Sequence, residues 1–394
     1  MRTIITNGKL ILPDMMTEEQ ELVLEGGRIQ AICPVGEADR TDAVLVDAAG
    51  AYIMPGIIDI HSDMIESYIQ PRSTAVMDFE MGLKEAERVL AGCGITTMFH
   101  SISMYRPGTW DVKEIRQAPQ VKKLAALVAR YRHDERLIRH RYHLRYEIDN
   151  LACYDDVMDM MRKGYVDLLS FMDHTPGQGQ YKNLEIYRKH QANDGRDLTE
   201  ETFAKLVKTE QEKELITLEQ LKTMAALAKE LGISVGSHDD DTLEKLELNE
   251  QLGVAISEFP ITIEVAKAAR KKGFRTVVGA PNVLLGGSHS GNLSALEAIK
   301  AEAADVLVSD YYPQALLQAV FQLFEKEEIP VWEAVRYVTL NPAIAVGLGQ
   351  ELGSIEVGKR ADLLLVRSKN CRPVLEQVFV EGAGILDCQY RKAD

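Results

Sequence analysis

The sequence predicts an α/β fold, a (β/α)8 barrel of the TIM type that carries a small β-sandwich built from both chain ends. Strand-like apolar runs alternate with amphipathic helical stretches through the middle of the chain, which is the pattern of parallel α/β structure. Eight such runs occur over roughly the 250 residues that one barrel usually occupies. Short β-like runs separated by turn residues bracket this middle, so the two ends are expected to share one β domain.

The predicted barrel strands are short apolar runs with helical stretches between most of them. A doubly wound open sheet is the alternative, but the chain lacks the GxGxxG fingerprint of a dinucleotide-binding sheet. The eight predicted strands are Gly56–Ile60, Ile95–Phe99, Tyr142–Ile148, Asp167–Met172, Ile233–Ser237, Val254–Phe259, Thr276–Gly279 and Asp305–Ser309.

The ends of the chain predict the domain organisation. Asn7-Gly8 separates short apolar runs in the way that a hairpin turn does. We therefore expect a composite β-sandwich from residues 1–54 and 345–394, and a barrel from residues 55–344. Residues 175–217 are longer and more polar than a plain connection requires, so a helical insertion is expected after the fourth barrel strand.

Composition limits the classes of partner. Lys and Arg total 45 against 60 Asp and Glu, a net charge of −15, which argues against nucleic acid. A small anionic substrate stays compatible, because a local cationic pocket or a metal can outweigh the overall field. No run of 18 or more apolar residues occurs, so no membrane span is expected. The 5 scattered cysteines, and a start unlike a signal peptide, predict a cytoplasmic protein with reduced thiols.

The segment Pro55–Asp63 carries the clearest chemical signal. Its isoleucines predict a buried strand that ends with His61 and Asp63, two residues apart. Side chains two apart on a strand point the same way, so an imidazole and a carboxylate can reach one point. Both groups bind divalent metals, although an ordinary polar strand end is the alternative.

Polar side chains follow nearly every other predicted strand. In such barrels the active site lies at the carboxyl ends of the strands. We expect His61, Asp63, Glu147, His238 and Asp310 to converge there as metal ligands, with zinc favoured, manganese or iron as alternatives, and one or two ions. The strand-end groups beyond His61 and Asp63 are His100, Glu147, Asp173, His174, His238, Asp239, Asp240, Glu258, Asn282 and Asp310.

Alternation along the third predicted strand places His143, Arg145 and Glu147 on one face and Leu144 and Tyr146 on the other. The polar face is expected to point into the barrel mouth and the apolar face toward helices.

Three segments together resemble the amidohydrolase superfamily: Pro55–Asp63, Asn341-Pro342-Ala343 and Gly353–Val366. The resemblance covers the whole chain and implies a metal-dependent barrel with a β-sandwich built from both ends. Six internal runs resemble the phosphonate-utilisation branch of that superfamily, which acts in the carbon–phosphorus lyase pathway. These runs are Tyr142–Glu147, Phe171–Gln178, Ser237–Asp240, Gly279–Asn282, Gly286–Asn292 and Ser309–Pro313.

The resemblance implies hydrolysis of a ribose 5-triphosphate, with release of pyrophosphate, and it makes Asp310 the general base. The sequence departs from the superfamily pattern at three places. Asp63 stands where a second histidine is usual, Glu258 ends the sixth strand in place of a histidine, and Glu147 replaces a carbamylated lysine as the candidate bridging ligand. Hydrolysis of a cyclic amide or an aminopurine is the alternative function. A barrel that has lost its site is a second alternative.

A phosphorylated substrate needs anion-binding groups. The glycine-rich run Gly286–Asn292 leads into a helical stretch, and backbone amides at such a helix start bind anions. For His289 a structural role within its loop is the alternative, and for His174 the alternatives are metal binding and a structural pair with Asp173. Association with further copies of the chain, or with other enzymes of the phosphonate pathway, is left open. The predicted substrate-binding residues are His174, His289, Ser290, Asn292, Arg145, Arg72 and Lys182.

Overall fold

The computed structural model describes residues 2–107, 109, 113–193, 199–287, 293–370 and 372–390. His289, Ser290 and Asn292 therefore lie outside the described residues. Among the described residues, no helix is long and apolar enough to cross a membrane.

The amino-terminal part of the chain forms seven short strands before the barrel begins. These strands are β1 (Arg2–Thr6), β2 (Lys9–Ile11), β3 (Met16–Thr17), β4 (Gln20–Glu25), β5 (Arg28–Pro34), β6 (Ala43–Asp47) and β7 (Tyr52–Pro55).

The middle of the chain supplies eight strands of one parallel sheet. They are β8 (Ile57–Ser62), β9 (Ile95–Met104), β10 (Arg139–Glu147), β11 (Leu168–Met172), β12 (Ser234–His238), β13 (Ile256–Glu258), β14 (Arg275–Gly279) and β15 (Val306–Val308). Three further strands follow near the carboxyl end: β16 (Leu363–Ser368), β17 (Pro373–Val380) and β18 (Ala383–Asp387).

The described helices lie mainly between barrel strands. They are α1 (Ile65–Ile69), α2 (Phe79–Gly92), α3 (Ala118–Arg130), α4 (Tyr154–Arg162), α5 (Leu184–Asn193), α6 (Glu200–Gln211), α7 (Leu218–Glu230), α8 (Leu243–Gln251), α9 (Ile263–Lys271), α10 (Ala280–Leu285), α11 (Ala295–Lys300), α12 (Ala315–Glu325), α13 (Val331–Arg336) and α14 (Leu340–Ala345). Single 3₁₀ turns occur at Glu114–Arg116, Leu151–Cys153 and Gly179–Tyr181.

The barrel follows the predicted order of strands. Strands β8 to β15 are neighbours in sequence order and all pair in parallel. A parallel bridge between Ser62 and Asp310 brings the first strand beside the last. All eight predicted strands overlap observed ones, which confirms the predicted barrel.

Apolar side chains divide between the inside of the barrel and its helical shell. Ile58, Ile60, Leu168 and Val306 belong to one buried cluster inside the barrel. Leu144 and Tyr146 belong instead to the large cluster that the helices cover. Because side chains alternate across a strand, the polar face of β10 is left for the inside of the barrel, where it forms the site described below.

Both chain ends contribute to the sandwich. One sheet has the order β5-β4-β1-β6, and the other has the order β18-β17-β16-β7-β2-β3. Strand β7 pairs with β2 on one side and with β16 on the other, so the two ends meet within one sheet. Ile5, Leu22, Ile53 and Leu363 are among the buried residues between the sheets. The predicted two-ended sandwich is confirmed.

Local signals explain where individual helices begin. Asp78 caps α2 by accepting a hydrogen bond from Met81 N, and Thr217 and Gln220 form a capping box at the start of α7. Between β11 and α7 the chain forms one 3₁₀ turn, α5 and α6, in the segment where a helical insertion is predicted.

Candidate metal centre and active site

A fully buried group of three side chains lies inside the barrel mouth. It combines His61 from β8, His143 from β10 and Glu258 from β13. His61 Nδ1 lies 3.0 Å from Glu258 Oε1, and His143 Nε2 lies 3.7 Å from the same oxygen. One ligand atom from each of the three lies within 4.8 Å of those of the other two, so the group can enclose one divalent ion. We call this the His61 group.

Hydrogen bonds to neighbouring strands orient His143. Its Nδ1 lies 3.1 Å from the carbonyl oxygen of Ile60 and 2.6 Å from Ser101 Oγ, while its Nε2 lies 2.8 Å from Ser170 Oγ. A carbonyl oxygen can only accept, so the proton belongs on Nδ1. The lone pair on Nε2, the ring nitrogen nearer to Glu258, then accepts the hydrogen bond from Ser170 Oγ, and a metal ligated by His143 would take the place of that bond.

A second group adjoins the first. It combines His174, which follows β11, with His238 at the end of β12 and the next residue, Asp239. His238 Nδ1 lies 2.9 Å from Asp239 Oδ2, without the angle of a hydrogen bond. The ring centres of His61 and His238 are 5.4 Å apart, so the two groups are neighbours. We call this the His238 group.

Glu147 orients the His238 group from outside. Its Oε1 accepts a hydrogen bond of 2.8 Å from His174 Nδ1, so in the neutral ring the lone pair lies on Nε2. A carboxylate behind a histidine in this way fixes the tautomer of a metal ligand. Glu147, which the sequence predicts to be a metal ligand, thus contacts the candidate ligand His174 at the ring nitrogen Nδ1.

Burial keeps the imidazoles of the His61 group neutral. It lowers the pKa of His61 well below its usual value, with Arg145 and His238 adding to the effect. Burial likewise lowers the pKa of His143 to about 3, although Glu258 acts in the opposite sense. The neutral imidazole is the form that binds metals.

Charges across the His238 group favour ionised forms. Burial disfavours the imidazolium form of His174, but the Glu147 carboxylate outweighs this and raises the pKa of His174. Burial similarly opposes ionisation of Asp239, yet His238 and His174 hold the pKa of its carboxyl below the usual value. A cation bound to this group replaces the proton on His174.

The chemistry of both groups fits a divalent metal. In the part of the chain that the structure describes, Glu258 Oε2 and both ring nitrogens of His238 are buried without a hydrogen-bond partner. Leaving buried polar atoms unsatisfied is costly, and a metal ion satisfies them. The donors are imidazole nitrogens and carboxylate oxygens, the set that zinc, manganese and iron accept.

Asp63 lies against a cation instead of joining either group. Its Oδ2 is 3.5 Å from Arg116 Nη2, and Arg116 Nε is 2.6 Å from Glu66 Oε1. Lys113 also pairs with Glu66 at 3.0 Å. Burial, together with Glu66, raises the pKa of Asp63 although Arg116 acts in the opposite sense. Asp63, which stands where the superfamily usually has a second histidine, therefore pairs with Arg116 in this protein.

Asp310 closes the barrel mouth through its backbone. Its N–H donates to the carbonyl oxygen of His61 at 3.0 Å, and its own carbonyl oxygen accepts from Asp63 N at 2.9 Å. These bonds place Asp310 beside the end of β8, although its carboxylate belongs to neither metal group among the described residues. Its roles as a ligand and as the general base stay predictions.

The predicted substrate-binding cations have different surroundings. Arg145 is half-buried inside the mouth, whereas Arg72 and Lys182 are exposed in segments that follow α1 and β11. Arg145 Nε is buried without a hydrogen-bond partner, and no carboxylate of the described residues forms an ion pair with this guanidinium. Arg145 therefore brings to the site a positive charge with no carboxylate of the described residues in direct contact.

The sequence interpretation gave no metal-binding or substrate-binding role to four residues that the structure brings to the mouth: His143, Glu258, Asp239 and Arg116. The alternation on β10 carried a signal for His143, which shares a face with Arg145 and Glu147. Arg116 had no such signal, because it lies in a 3₁₀ turn far from any strand end.

The barrel, its two-ended sandwich and the paired histidine and carboxylate groups define a class of metal-dependent hydrolases. A model of the Amidohydrolase family matches residues 52–384, and the chain therefore belongs to this family. Members of the family typically use divalent metals.

Among relatives, the chain is 32% identical to the Escherichia coli K12 "Alpha-D-ribose 1-methylphosphonate 5-triphosphate diphosphatase" over 387 residues, which span 96% of this chain and 99% of that protein. It is 27% identical to the imidazolonepropionase of Streptococcus sanguinis over 169 residues, 40% of each chain.

Among solved structures, enamidase matches with a TM-score of 0.65 and 17% identity over 98% of this chain and 96% of its own. D-hydantoinase matches with a TM-score of 0.64 and 16% identity, over 98% and 95% of the two chains. At these identities the likeness concerns the fold.

Proposed function

We propose that this hydrolase acts on α-D-ribose 1-methylphosphonate 5-triphosphate and releases pyrophosphate and the 5-phosphate. The observation that carries the proposal is the 32% identity to the Escherichia coli diphosphatase along 96% of this chain and 99% of that protein. The matches to imidazolonepropionases cover only 40–43% of the chain, which favours the phosphoric anhydride over a cyclic amide as the substrate.

The charges in the mouth support an anionic substrate. After the larger effect of burial, Arg145 lies near enough to the His61 group to lower the pKa of His61 and of His143, and it also opposes the raised pKa of His174 in the His238 group. A guanidinium without a carboxylate partner has its donors available to phosphate oxygens. Arg116 lies at the same mouth, where Asp63 and Glu66 hold it and its guanidinium carbon is 5.7 Å from the centre of the Tyr105 ring.

The candidate ligands divide between the two groups. Zinc is the proposed metal, held by the His61 group, the His238 group or both. When bound, such an ion lowers the pKa of a water molecule and polarises a phosphoryl oxygen. Glu147 holds the ring of His174, and Glu258 holds the ring of His61. These carboxylates fix the orientation of the donors before any substrate arrives.

The remaining steps belong to side chains of the mouth. We assign proton removal from the attacking water to Asp310, whose backbone forms hydrogen bonds with the backbones of His61 and Asp63. Water attacks one phosphorus atom, the bond from that phosphorus to the bridging oxygen breaks, and pyrophosphate and the 5-phosphate separate. Arg145 stabilises the charge that develops on the phosphoryl oxygens.

The decisive test is pyrophosphate release from the synthetic triphosphate by zinc-reconstituted protein. We expect one pyrophosphate per 5-phosphate, loss of activity with chelator and recovery on addition of metal. In heavy-oxygen water, label in the 5-phosphate indicates attack at the α-phosphorus, and label in pyrophosphate indicates attack at the β-phosphorus.

Matched variants separate the site from the rest of the surface. His61→Ala is expected to abolish activity, whereas His133→Ala changes an exposed histidine and serves as the control. The proposal is wrong if the metal-loaded protein releases no pyrophosphate but opens a cyclic amide or frees ammonia from an aminopurine.

A further inference from the structure

Three residues at the barrel mouth have left-handed backbones. Asp239 (φ 53°) follows β12, Phe259 (φ 54°) follows β13, and Asp310 (φ 59°) lies two residues beyond β15. Aspartate adopts this conformation more readily than most residues, but for a bulky side chain it is an outlier. Pro260 comes next, and a residue before proline favours an extended backbone. Surroundings distant in sequence must therefore hold Phe259 in place.

The left-handed turn places the Phe259 ring against one imidazole of each metal-binding group. The ring centre is 5.0 Å from that of His61, nearly perpendicular at 87°, and 5.1 Å from that of His238, at 55°. These are the distances of packed aromatic pairs. The backbone is anchored by a 2.9 Å hydrogen bond from Phe259 N to Val277 O.

His238 depends on this packing more than the other imidazoles do. His61 is held by Glu258, His143 by two serines and a carbonyl, and His174 by Glu147. In the described part of the chain, neither ring nitrogen of His238 has a hydrogen-bond partner. Its Nδ1 lies 2.9 Å from Asp239 Oδ2 without the angle of a hydrogen bond, and its other contacts of this kind are with neighbouring rings, of which Phe259 is the nearest at 5.1 Å.

We propose that Phe259 is a positioning residue that holds the His61 and His238 imidazoles in their metal-binding orientations. The unfavourable backbone is retained because an extended Phe259 would point its ring elsewhere and leave His238 free to change rotamer. A protein binds a metal less tightly when an imidazole ligand must first be ordered. The Phe259 ring therefore contributes to metal affinity without touching the reacting atoms. The proposal does not depend on which substrate the enzyme uses.

The test measures metal affinity and coordination in three variants of the full chain. Phe259→Ala removes the ring, Phe259→Leu keeps apolar bulk, and Phe259→Gly removes both the ring and the backbone strain. Affinity for zinc is measured by chelator competition, and the cobalt-substituted protein reports the coordination geometry through its visible spectrum. Phe274→Ala is the matched control, because Phe274 is buried with Leu246 and Val265 of the helical shell, away from the mouth.

We expect Phe259→Ala and Phe259→Gly to weaken metal binding about tenfold or more and to change the cobalt spectrum. Phe259→Leu should recover most of the affinity. Phe259→Gly should melt at a higher temperature than Phe259→Ala, since glycine adopts the left-handed conformation without strain. Phe274→Ala should melt at a lower temperature than the wild type and keep its metal affinity.

Two results would overturn the proposal. In one, Phe259→Ala and Phe259→Leu both keep wild-type metal affinity and the wild-type cobalt spectrum, which makes Phe259 a core residue only. In the other, Phe274→Ala loses as much affinity as Phe259→Ala, which shows that general loosening of the barrel is responsible.

Discussion

At the level of single side chains, the barrel mouth combines neutral imidazoles with carboxylates that orient them. Glu258 is central, because one oxygen meets His61 at 3.0 Å and the other is buried without a partner in the described part of the chain. The bound oxygen fixes the ring of His61, and the free oxygen is available to a metal.

We predict that Glu258→Gln lowers metal affinity about 10–100-fold and lowers kcat, because the amide keeps the shape of the side chain and loses its charge. Metal content after dialysis against a chelator measures the first effect. Glu247→Gln, at an exposed position of α8, is the matched control. Unchanged metal retention in Glu258→Gln would remove Glu258 from the centre.

Arg145 is predicted to recognise the phosphate chain. Arg145→Gln should raise KM for the triphosphate, and Arg145→Lys should recover only part of the loss, because an ammonium lacks the bidentate fork of a guanidinium. Steady-state kinetics measure both variants, and Arg72→Gln, at an exposed arginine, is the control. Equal KM values for the wild type and Arg145→Gln would contradict the assignment.

Among the barrel strands, β12 packs so closely against its neighbours that it needs a glycine. A Cβ on Gly236 would lie 2.5 Å from Ser170 Oγ, the hydroxyl that bonds His143, and 3.6 Å from the carboxylate carbon of Glu258. The absence of a side chain on β12 thus makes room for Ser170 on β11 and for Glu258 on β13.

We predict that Gly236→Ala destabilises the protein by about 1–3 kcal/mol through overpacking and also weakens metal binding. Gly92→Ala at the end of α2 is the control, because a Cβ there meets nothing within 4 Å and alanine favours the helix. Denaturant unfolding measures the stability of each variant. A Gly236→Ala protein as stable as Gly92→Ala would show that the barrel has room to spare.

Strands β9 and β10 carry a buried histidine pair outside the metal groups. His140 Nε2 lies 3.1 Å from Glu87 Oε1, so this N–H donates to the carboxylate, and His140 Nδ1 accepts from His100 Nε2 at 2.9 Å. Burial lowers the pKa of both histidines, for His140 despite the Glu87 carboxylate. Both therefore stay neutral at pH values where the unfolded chain takes up protons.

These two buried neutral histidines make the free energy of unfolding decrease as the pH falls. The stabilisation is complete above the unfolded histidine pKa of about 6.5 and is lost as the pH falls below it, at about 1.4 kcal/mol per pH unit for each unprotonated histidine. We predict a melting temperature that drops between pH 6.5 and 5.5, and a smaller drop in His140→Gln. Thermal unfolding at several pH values tests this, with the exposed His133→Gln as the control. An identical pH dependence in His140→Gln would refute it.

Across the whole molecule, one ion cluster joins the barrel to the sandwich. Arg139, at the start of β10, pairs with Asp362 before β16 and, at 2.8 Å, with Glu381 after β17. Arg360 also meets Glu381, at 2.6 Å. Arg139 and Asp362 are buried, so loss of one partner leaves an uncompensated buried charge.

We predict that Arg139→Gln destabilises the protein by about 3–5 kcal/mol. Denaturant unfolding of the two variants is the measurement. Arg88→Gln breaks an exposed pair with Glu85 on α2 and should cause no measurable change. Equal stability of the two variants would show that the cluster does not hold the barrel to the sandwich.

The sequence by itself determined the barrel, the two-ended sandwich and the edge where the polar groups collect. Alternation and strand–helix spacing are local properties, so all eight barrel strands could be recognised from their own residues. The polar face of β10 was readable for the same reason.

Only the tertiary structure decided which polar groups meet. His61 meets His143 and Glu258 because the order and register of eight strands bring three strand ends together, and no local pattern encodes that distance. Asp63 is only two residues from His61 in the sequence but lies against Arg116, a residue from a turn more than fifty positions away. Phe259 adopts a backbone that its own sequence disfavours by about 1–3 kcal/mol, and its ring packs against two imidazoles from distant strands.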